Sequence, residues 1–238
     1  MAINNKEIIN CKNVSKQFGY FFALKDISFK VKENIVFGIA GANGAGKTTL
    51  IKILSGLMSP SFGKVYIQGY NYTEHPFLIK KVIGITTEES FLYEELTINE
   101  NLQFYDNLHY NFNKRNIRNK VENYAKLFEI QDWLDEPIRN LSHGMKQKVE
   151  IIRVLIHEPS ILFLDEPFSG LDFKATKLLI NSLQNLKKER NVTIILTTHK
   201  MDVLSQIYDD LIILKRGKIN KFITKKDTYE EFKIESYF

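Results

Sequence analysis

Eight consecutive residues read Gly41-Ala42-Asn43-Gly44-Ala45-Gly46-Lys47-Thr48, which matches the pattern G-x-x-x-x-G-K-[ST]. The dense apolar run at 35–40 precedes this stretch and indicates a buried strand. Residues 47–57 follow with helical spacing and reach a stop at Ser59-Pro60. A strand, a glycine-rich turn and a helix form the context in which this pattern holds phosphate. The stretch therefore predicts a phosphate-binding loop in an α/β protein.

The residue types of this loop suit the phosphates of a nucleotide. Glycine permits tight backbone turns that point successive N–H groups inward, and the following helix adds its positive N-terminal end. Lys47 is long enough to reach the β- and γ-phosphates, and the Thr48 hydroxyl can coordinate Mg²⁺. The alternative is a bare glycine-rich turn, but a chance match is on the order of one in a hundred. The predicted nucleotide-binding residues here are Gly41, Ala42, Asn43, Gly44, Ala45, Gly46, Lys47, Thr48 and Thr49.

A second motif places two carboxylates after a buried strand. Four apolar residues at 161–164 run directly into Asp165 and Glu166, and ligands of parallel sheets bind at this end of the strands. Asp165 is predicted to hold Mg²⁺, and Glu166 is predicted to be the general base for a water that attacks the γ-phosphate. The alternative, an acidic cap before a helix, is disfavoured because Pro167 follows.

The rest of the chain alternates between strand and helix patterns. Residues 7–14 and 24–31 suit short antiparallel strands, and residues 96–155 have helical periodicity. Further strands are predicted at 63–69, 82–85, 161–164, 192–197 and 211–214, and helices at 174–189 and from Met201. Strands separated by helices imply a parallel sheet. The sequence thus predicts an α/β core with an all-helical insertion.

Composition narrows the class of protein. The 238 residues are 44% hydrophobic and 26% charged, which is typical of a globular domain, and neither a membrane-spanning run nor a secretory signal is evident. The single cysteine, Cys11, excludes an internal disulfide and indicates a reducing compartment. The net charge of +5 is spread along the chain, which favours a solvated surface over a basic patch, so we expect no nucleic-acid partner.

The family is indicated by Leu141-Ser142-His143-Gly144-Met145-Lys146-Gln147-Lys148, which resembles the signature motif of ABC (ATP-binding cassette) ATPases, usually L-S-G-G-[QM]. No guanine-reading N-K-x-D motif is present, because 113–116 lacks the aspartate. Four further matches follow the order of the family: Phe18 for the aromatic that stacks on adenine, Glu88 for the usual Q-loop glutamine, the segment 169–172 for the D-loop, and His199 for the switch histidine.

The resemblance implies a fold and a division of the chain. The fold class expected is α/β, a P-loop NTPase fold of the ABC ATPase type with a mainly parallel core sheet. A single domain would span 1–238. Residues 1–89 and 156–222 would form the ATP-binding core with an N-terminal antiparallel β subdomain, residues 90–155 an inserted helical subdomain, and residues 223–238 a C-terminal tail.

The resemblance also implies ATP and Mg²⁺ as cofactors and a second ABC ATPase subunit, identical or different, as partner. Two subunits would face head to tail, so that Ser142 and the Gly144 N–H contact the γ-phosphate bound to the partner's phosphate loop. Ser142, His143, Gly144 and Asp172 would lie at that dimer interface. The catalytic residues would be Lys47, Glu166 and His199, and the Mg²⁺ ligands Thr48, Glu88 and Asp165.

Two positions depart from the family pattern. His143 replaces the first glycine of the signature and adds a bulky side chain beside the phosphate, where a positive φ would be unfavourable for histidine. Glu88 keeps an oxygen ligand for Mg²⁺ but brings a negative charge near phosphates. We expect function to survive because Gly144 is retained.

The resemblance indicates a transporter motor whose permease is a separate polypeptide, docked peripherally at the cytoplasmic face of a bacterial cell membrane. The stretch 96–102, leading into Phe104-Tyr105, resembles exporters of drugs, antibiotic peptides or lipids. The alternative is a non-transport ABC ATPase that acts on ribosomes or DNA. Such proteins resemble tandem cassettes or carry coiled-coil arms, and this sequence has one phosphate loop and no sustained heptads.

Overall fold

The computed structural model describes residues 6–87, 89–110 and 117–225. In those ranges the strands are β1 (Glu7–Phe18), β2 (Phe21–Lys32), β3 (Val36–Ala40), β4 (Phe62–Ile67), β5 (Tyr70–Asn71), β6 (Ile83–Thr86), β7 (Ile161–Leu164), β8 (Thr193–Thr198), β9 (Asp210–Lys215) and β10 (Lys218–Thr224). The α-helices are α1 (Lys47–Leu54), α2 (Pro76–Val82), α3 (Ile98–Tyr110), α4 (Arg118–Leu127), α5 (His143–Leu155), α6 (Phe173–Arg190) and α7 (Met201–Ile207). Two 3₁₀ turns occupy Gln131–Trp133 and Ile138–Asn140.

The core sheet has the strand order β10-β9-β3-β8-β7-β6. All its neighbours are parallel except the β9–β10 hairpin. Every residue of β3, β7 and β8 is buried, as expected for parallel strands that are covered on both faces. The predicted α/β fold with a mainly parallel sheet is confirmed.

The apolar side chains of this sheet alternate between two buried clusters. In β7, Ile161 and Phe163 pack with the side chains of α1, β1 and β2, while Leu162 and Leu164 pack with those of α3–α7. This alternation follows from the twofold periodicity of a strand, and each buried aliphatic or aromatic side chain stabilises the fold by about 1.5–3 kcal/mol. The core sheet is therefore the middle layer of the molecule.

The second sheet is antiparallel, with the order β2-β1-β4-β5, as the sequence predicts for the N-terminal part. Cys11 lies on β1 with its side chain inward, and its thiol lies 3.5 Å from the carbonyl oxygen of Ile27. Burial raises the pKa of the Cys11 thiol to about 12, because the apolar surroundings disfavour the thiolate. The thiol therefore stays protonated at neutral pH and is unreactive.

The helical segment contains α3, α4 and α5, with α3 and α4 packed on α5. A buried amide fixes the loop that leads into α3. Asn101 donates to the carbonyl oxygens of Tyr93 and Thr97 at 3.0 Å and accepts from Tyr93 N at 2.8 Å. This loop is thereby held with its aromatic side chains at the surface. In the described ranges, no helix combines the length and hydropathy needed to span a membrane.

Several element boundaries differ from the sequence-based prediction. Helix α1 ends at Leu54 instead of residue 57, because Gly56 adopts a left-handed conformation with φ of 74° and so ends the helix. The strand β10 was not predicted, and its residues Ile223 and Thr224 lie in the range expected to be a tail. Residues 226–238 of that tail lie outside the described part of the chain.

Candidate nucleotide-binding site

The loop between β3 and α1 turns closely against neighbouring backbone. At Gly41 an added Cβ would lie 2.5 Å from the carbonyl oxygen of Leu214, and at Gly46 it would lie 2.8 Å from that of Ala23. Gly46 also has a φ of 105°, which other residues rarely adopt. The first turn of α1 follows directly, and its N–H groups lack intrahelical partners. The loop is therefore shaped to bind an anion at a helix N-terminus.

Lys47 lies across this loop. Its ammonium donates to the carbonyl oxygen of Gly41 at 2.9 Å and lies 3.4 Å from Glu166 Oε1. The Lys47 side chain is only 6% exposed and that of Glu166 only 9% exposed. An ion pair this deeply buried interacts strongly, because little water screens it.

A cleft of about 440 Å³ opens beside the loop, and we call it the nucleotide cleft. Two aromatic side chains stand on one wall, Phe18 at the end of β1 and Phe21 at the start of β2. They are 48% and 66% exposed, and the Lys16 ammonium lies 5.1 Å from the Phe18 ring centroid. The remaining lining residues are Ala23, Asn43, Gly44, Gly46, Lys47, Thr48, Thr49 and Glu166. A planar base can thus lie against an aromatic ring while its phosphates reach the loop.

The acidic motif meets the phosphate loop at the carboxyl edge of the core sheet. Asp165, which is 2% exposed, has its Oδ1 atom 3.4 Å from the Thr48 hydroxyl. These are the oxygen donors that Mg²⁺ prefers, and a Mg²⁺ ion takes its remaining ligands from phosphates and water. The donor set therefore fits the predicted magnesium site. Glu88, the third predicted ligand, lies outside the described residues.

Glu166 is held between two basic side chains. Its Oε1 atom faces Lys47, and its Oε2 atom lies 3.0 Å from Nδ1 of His199. His199 follows β8 directly, so three neighbouring parallel strands deliver Lys47, Glu166 and His199 to one place. The structure brings together all three residues predicted to be catalytic.

Thr197 is a site residue that the sequence did not reveal. Its hydroxyl donates to Asp165 Oδ1 at 2.6 Å and accepts from the backbone N–H of Glu166 at 2.8 Å. It thus fixes both carboxylate residues, including Glu166 with its positive φ of 47°. A threonine inside an apolar strand gives no sequence signal beyond strand propensity. The residue can be found only once the strand register aligns it with the acidic motif.

The signature residues occupy a separate position. Ser142 caps α5 by accepting from Met145 N at 3.3 Å, and Asp172 caps α6 by accepting from Ala175 N at 2.7 Å. Within the described part of the chain, the lining of the nucleotide cleft includes none of Ser142, His143, Gly144 and Asp172. A single chain therefore does not bring the signature to its own phosphate loop.

These features define a P-loop nucleotide-binding domain with an acidic pair and a histidine at the phosphate end. Comparisons with known proteins carry the assignment further. The profile of a family described as ABC transporter matches residues 24–169. The chain is 35% identical over 198 residues to the ABC transporter ATP-binding protein NatA of Bacillus subtilis, covering 83% of this chain and 80% of that protein. The chain belongs to the ABC transporter family, as an ATP-binding subunit, and membership implies ATP hydrolysis.

Two further relatives illustrate the range of this family. The spermidine/putrescine import ATP-binding protein PotA of Clostridium novyi is 32% identical over 226 residues, which are 95% of this chain but 65% of that protein. The dimeric ATP-binding cassette MJ0796, solved in a post-hydrolysis state with ADP and Pi, superposes with a TM-score of 0.81 at 27% identity. That superposition covers 91% of this chain and 98% of the other. The expected ABC ATPase fold is confirmed.

The Thr197 contacts lead to a testable prediction. We expect Thr197→Val to lower the free energy of unfolding by about 1–3 kcal/mol, since it leaves buried groups of Asp165 and Glu166 without their partner. ATP turnover should fall about tenfold, equivalent to about 1.4 kcal/mol in activation free energy.

The matched control is Thr193→Val, a buried threonine of the same strand whose hydroxyl accepts from Asn34 N at 2.8 Å. Denaturant unfolding and steady-state ATPase assays should show similar stability losses but normal turnover for the control. Equal turnover of the two variants would contradict the positioning role.

Proposed function

We propose that this chain is the ATP-hydrolysing subunit of a membrane exporter and works as a head-to-tail dimer. The observation that carries the chemistry is Glu166, a carboxylate held between Lys47 and His199 beside the phosphate loop. A carboxylate in this place can accept the proton of a water that attacks the γ-phosphate. His199 can stabilise charge on the same phosphate, and Lys47 can neutralise its oxygens. A bound Mg²⁺ ion, held by Thr48 and Asp165, would neutralise phosphate charge during the transfer.

The dimer is proposed because the chain's own signature residues do not line its nucleotide cleft. In the proposed arrangement, Ser142 and the Gly144 N–H reach the γ-phosphate in the cleft of the partner, and Asp172 lies at the shared interface. The dimeric form of the similar cassette MJ0796 with ADP and Pi supports this arrangement. Each site is then completed by two chains, so a monomer would hydrolyse ATP poorly.

The first prediction from this mechanism concerns the general base. Glu166→Gln should lower ATP turnover by about 10²–10⁴-fold, while ATP binding persists and dimers accumulate. Lys47→Ala is the comparison, because it should weaken nucleotide binding itself. Turnover is measured by phosphate release, and binding by calorimetry. Near-normal turnover of the Glu166→Gln protein would exclude the assigned role.

The aromatic wall of the cleft gives a second prediction. Phe18→Ala should weaken ATP binding by about 1–3 kcal/mol, the scale of base–aromatic stacking. Stacking reads the face of a base and not its edges, so GTP should also bind measurably. Titration with both nucleotides, for Phe18→Ala and in parallel for Phe21→Ala, assigns the contact. If only Phe21→Ala weakens binding, the stacking residue is Phe21.

A surface beside the helical segment is the proposed docking site for a permease. Phe91 and Tyr93 are each 49% exposed. Their backbone N–H groups are fixed by Glu150 Oε1 at 2.6 Å and by Asn101 Oδ1 at 2.8 Å, so both rings are presented outward. Exposed aromatic groups on a rigid loop are typical of interaction sites. We call Phe91, Tyr93 and the adjacent Phe104 the aromatic surface; Tyr93 and Phe104 have ring centroids 5.0 Å apart.

Charged side chains of both signs surround the aromatic surface. Between Lys81 and Lys114 the sequence has no lysine or arginine, but it has acidic residues at positions 88, 89, 94, 95, 100 and 106. In the fold, basic side chains from other elements balance these carboxylates: Lys146 pairs with Glu94 at 3.0 Å, Arg139 pairs with Glu95, and the Arg153 guanidinium lies 5.4 Å from the Phe91 ring centroid. Complementary charges steer association and fix the register of partners. A short permease helix whose apolar side chains contact the aromatic rings, with polar side chains at its margins, fits this surface.

The docking prediction uses a charge substitution within that surface. Tyr93→Arg should release the subunit from membranes that contain its permease, because it would bury a cation among apolar groups of the interface. Basal ATPase activity and thermal unfolding should stay unchanged, since Tyr93 lies outside the nucleotide cleft.

Phe62→Glu is the matched control, as Phe62 is 59% exposed on β4 of the other sheet. Sedimentation of membranes followed by immunoblotting measures the bound fraction. Full retention of Tyr93→Arg with substrate-responsive ATPase would exclude this docking site.

The direction of transport is proposed from the resemblance of residues 96–105 to exporters of drugs, antibiotic peptides or lipids. The name of PotA associates a similar protein with import, and a non-transport ABC ATPase is the alternative from another class. Purification of the subunit from membranes distinguishes the three. A polytopic partner without a solute-binding protein supports export, a partner with one supports import, and ribosomes or DNA support the alternative. The proposed location is the cytoplasmic face of a bacterial membrane.

A further inference from the structure

The His143 side chain contacts the loop that follows the acidic motif. His143 is the first residue of α5, and its Nε2 atom lies 3.1 Å from the carbonyl oxygen of Ser169. A carbonyl only accepts hydrogen bonds, so Nε2 carries the proton and donates. A glycine at this position, as the usual signature has, would lack any group to make the contact.

The loop is shaped to receive the imidazole ring. A Cβ on Gly170 would lie 2.9 Å from Cδ2 of His143, so the ring occupies space that only glycine leaves open. Gly144, the next residue of α5, packs on the same loop, and a Cβ there would lie 3.3 Å from the Leu171 side chain. The start of α5 and the segment 169–171 therefore form one packed unit.

The same loop is also hydrogen-bonded to the backbone of Glu166. The backbone N–H of Ser169 donates to the carbonyl oxygen of Glu166 at 3.0 Å. Ser169 thus accepts from His143 through its carbonyl and donates to Glu166 through its amide. Ser169 thus connects the signature of the chain with the backbone of Glu166.

We propose that His143 is a positioning residue for Glu166 of its own chain. The inference rests on the proposed head-to-tail dimer, in which the signature serves the partner's nucleotide while Glu166 serves its own. Contact of Ser142 and Gly144 with the partner's γ-phosphate then orients the chain's own base through His143 and Ser169. The two nucleotide clefts are coupled by this contact, and the coupling acts within one chain.

A mixed dimer tests this inference directly. Two differently tagged chains are combined, one of them carrying Glu166→Gln, so that only the intact chain's cleft turns over ATP. His143→Leu is then placed in the intact chain, where its altered signature faces the idle cleft. Turnover per dimer should fall about two- to tenfold, the range of a single hydrogen bond. His143→Gln in the same chain retains an N–H donor and should restore most of the rate.

The reciprocal dimer provides the control. With His143→Leu in the Glu166→Gln chain, the altered signature faces the working cleft, and the assay reports its contact with phosphate. A loss of turnover only in this reciprocal arrangement would overturn the proposal, as would equal rates for His143→Leu and His143→Gln in the intact chain. ATP-dependent dimer formation by light scattering and thermal unfolding are measured for each pair. If the intact chain turns over ATP as a monomer, independently of mixing, the head-to-tail arrangement fails and this inference with it.

Discussion

The buried ammonium of Lys47 imposes the main constraint on this molecule. A charge that is withdrawn from water must be compensated by nearby groups, because desolvation costs several kcal/mol per ion. Here the compensation comes from the Gly41 carbonyl oxygen and the Glu166 carboxylate. These two groups lie next to the ammonium because the parallel strands that precede them end at the same edge of the core sheet. The position of Lys47 therefore depends on the order of β3, β8 and β7, on their burial on both faces and on the close turn of the phosphate loop.

In the same arrangement, several hydrogen bonds and ion pairs hold the two acidic residues in place. Glu166 contacts Lys47 and His199 through different oxygens, and its backbone is tied to Thr197. Asp165 shares that threonine and faces Thr48. Because its partners are already in place, the carboxylate needs little reorganisation energy when a phosphate binds. Such preorganisation is the basis of electrostatic catalysis. The buried hydroxyl of Thr197 is as much a part of the site as the charged groups it orients.

Much of the fold could be predicted from sequence because its signals are local. The phosphate loop, the Asp165-Glu166 strand and His199 each sit in short motifs with fixed spacing, and parallel topology brings such motifs together. Thr197 and the His143–Ser169 contact gave no such signal, since each depends on register or packing between distant segments. Helix α1 ends early because Gly56 takes a left-handed conformation, and β10 was missed because Ile223 alone of its residues is buried, which leaves little apolar periodicity. The domain division, Glu88 and the roles of the signature residues stay predictions.

The inert thiol of Cys11 makes this chain unusually suited to site-specific labelling. Cys11 is the single cysteine of the sequence, it is 1% exposed, and its pKa is about 12. Thiol-reactive fluorophores or spin labels react with the thiolate of accessible cysteines and would leave it untouched. A cysteine introduced at an exposed position such as Phe173, which is 84% exposed, can therefore be labelled without first removing a native one. Distances between two labelled chains could then follow the approach of the subunits in solution.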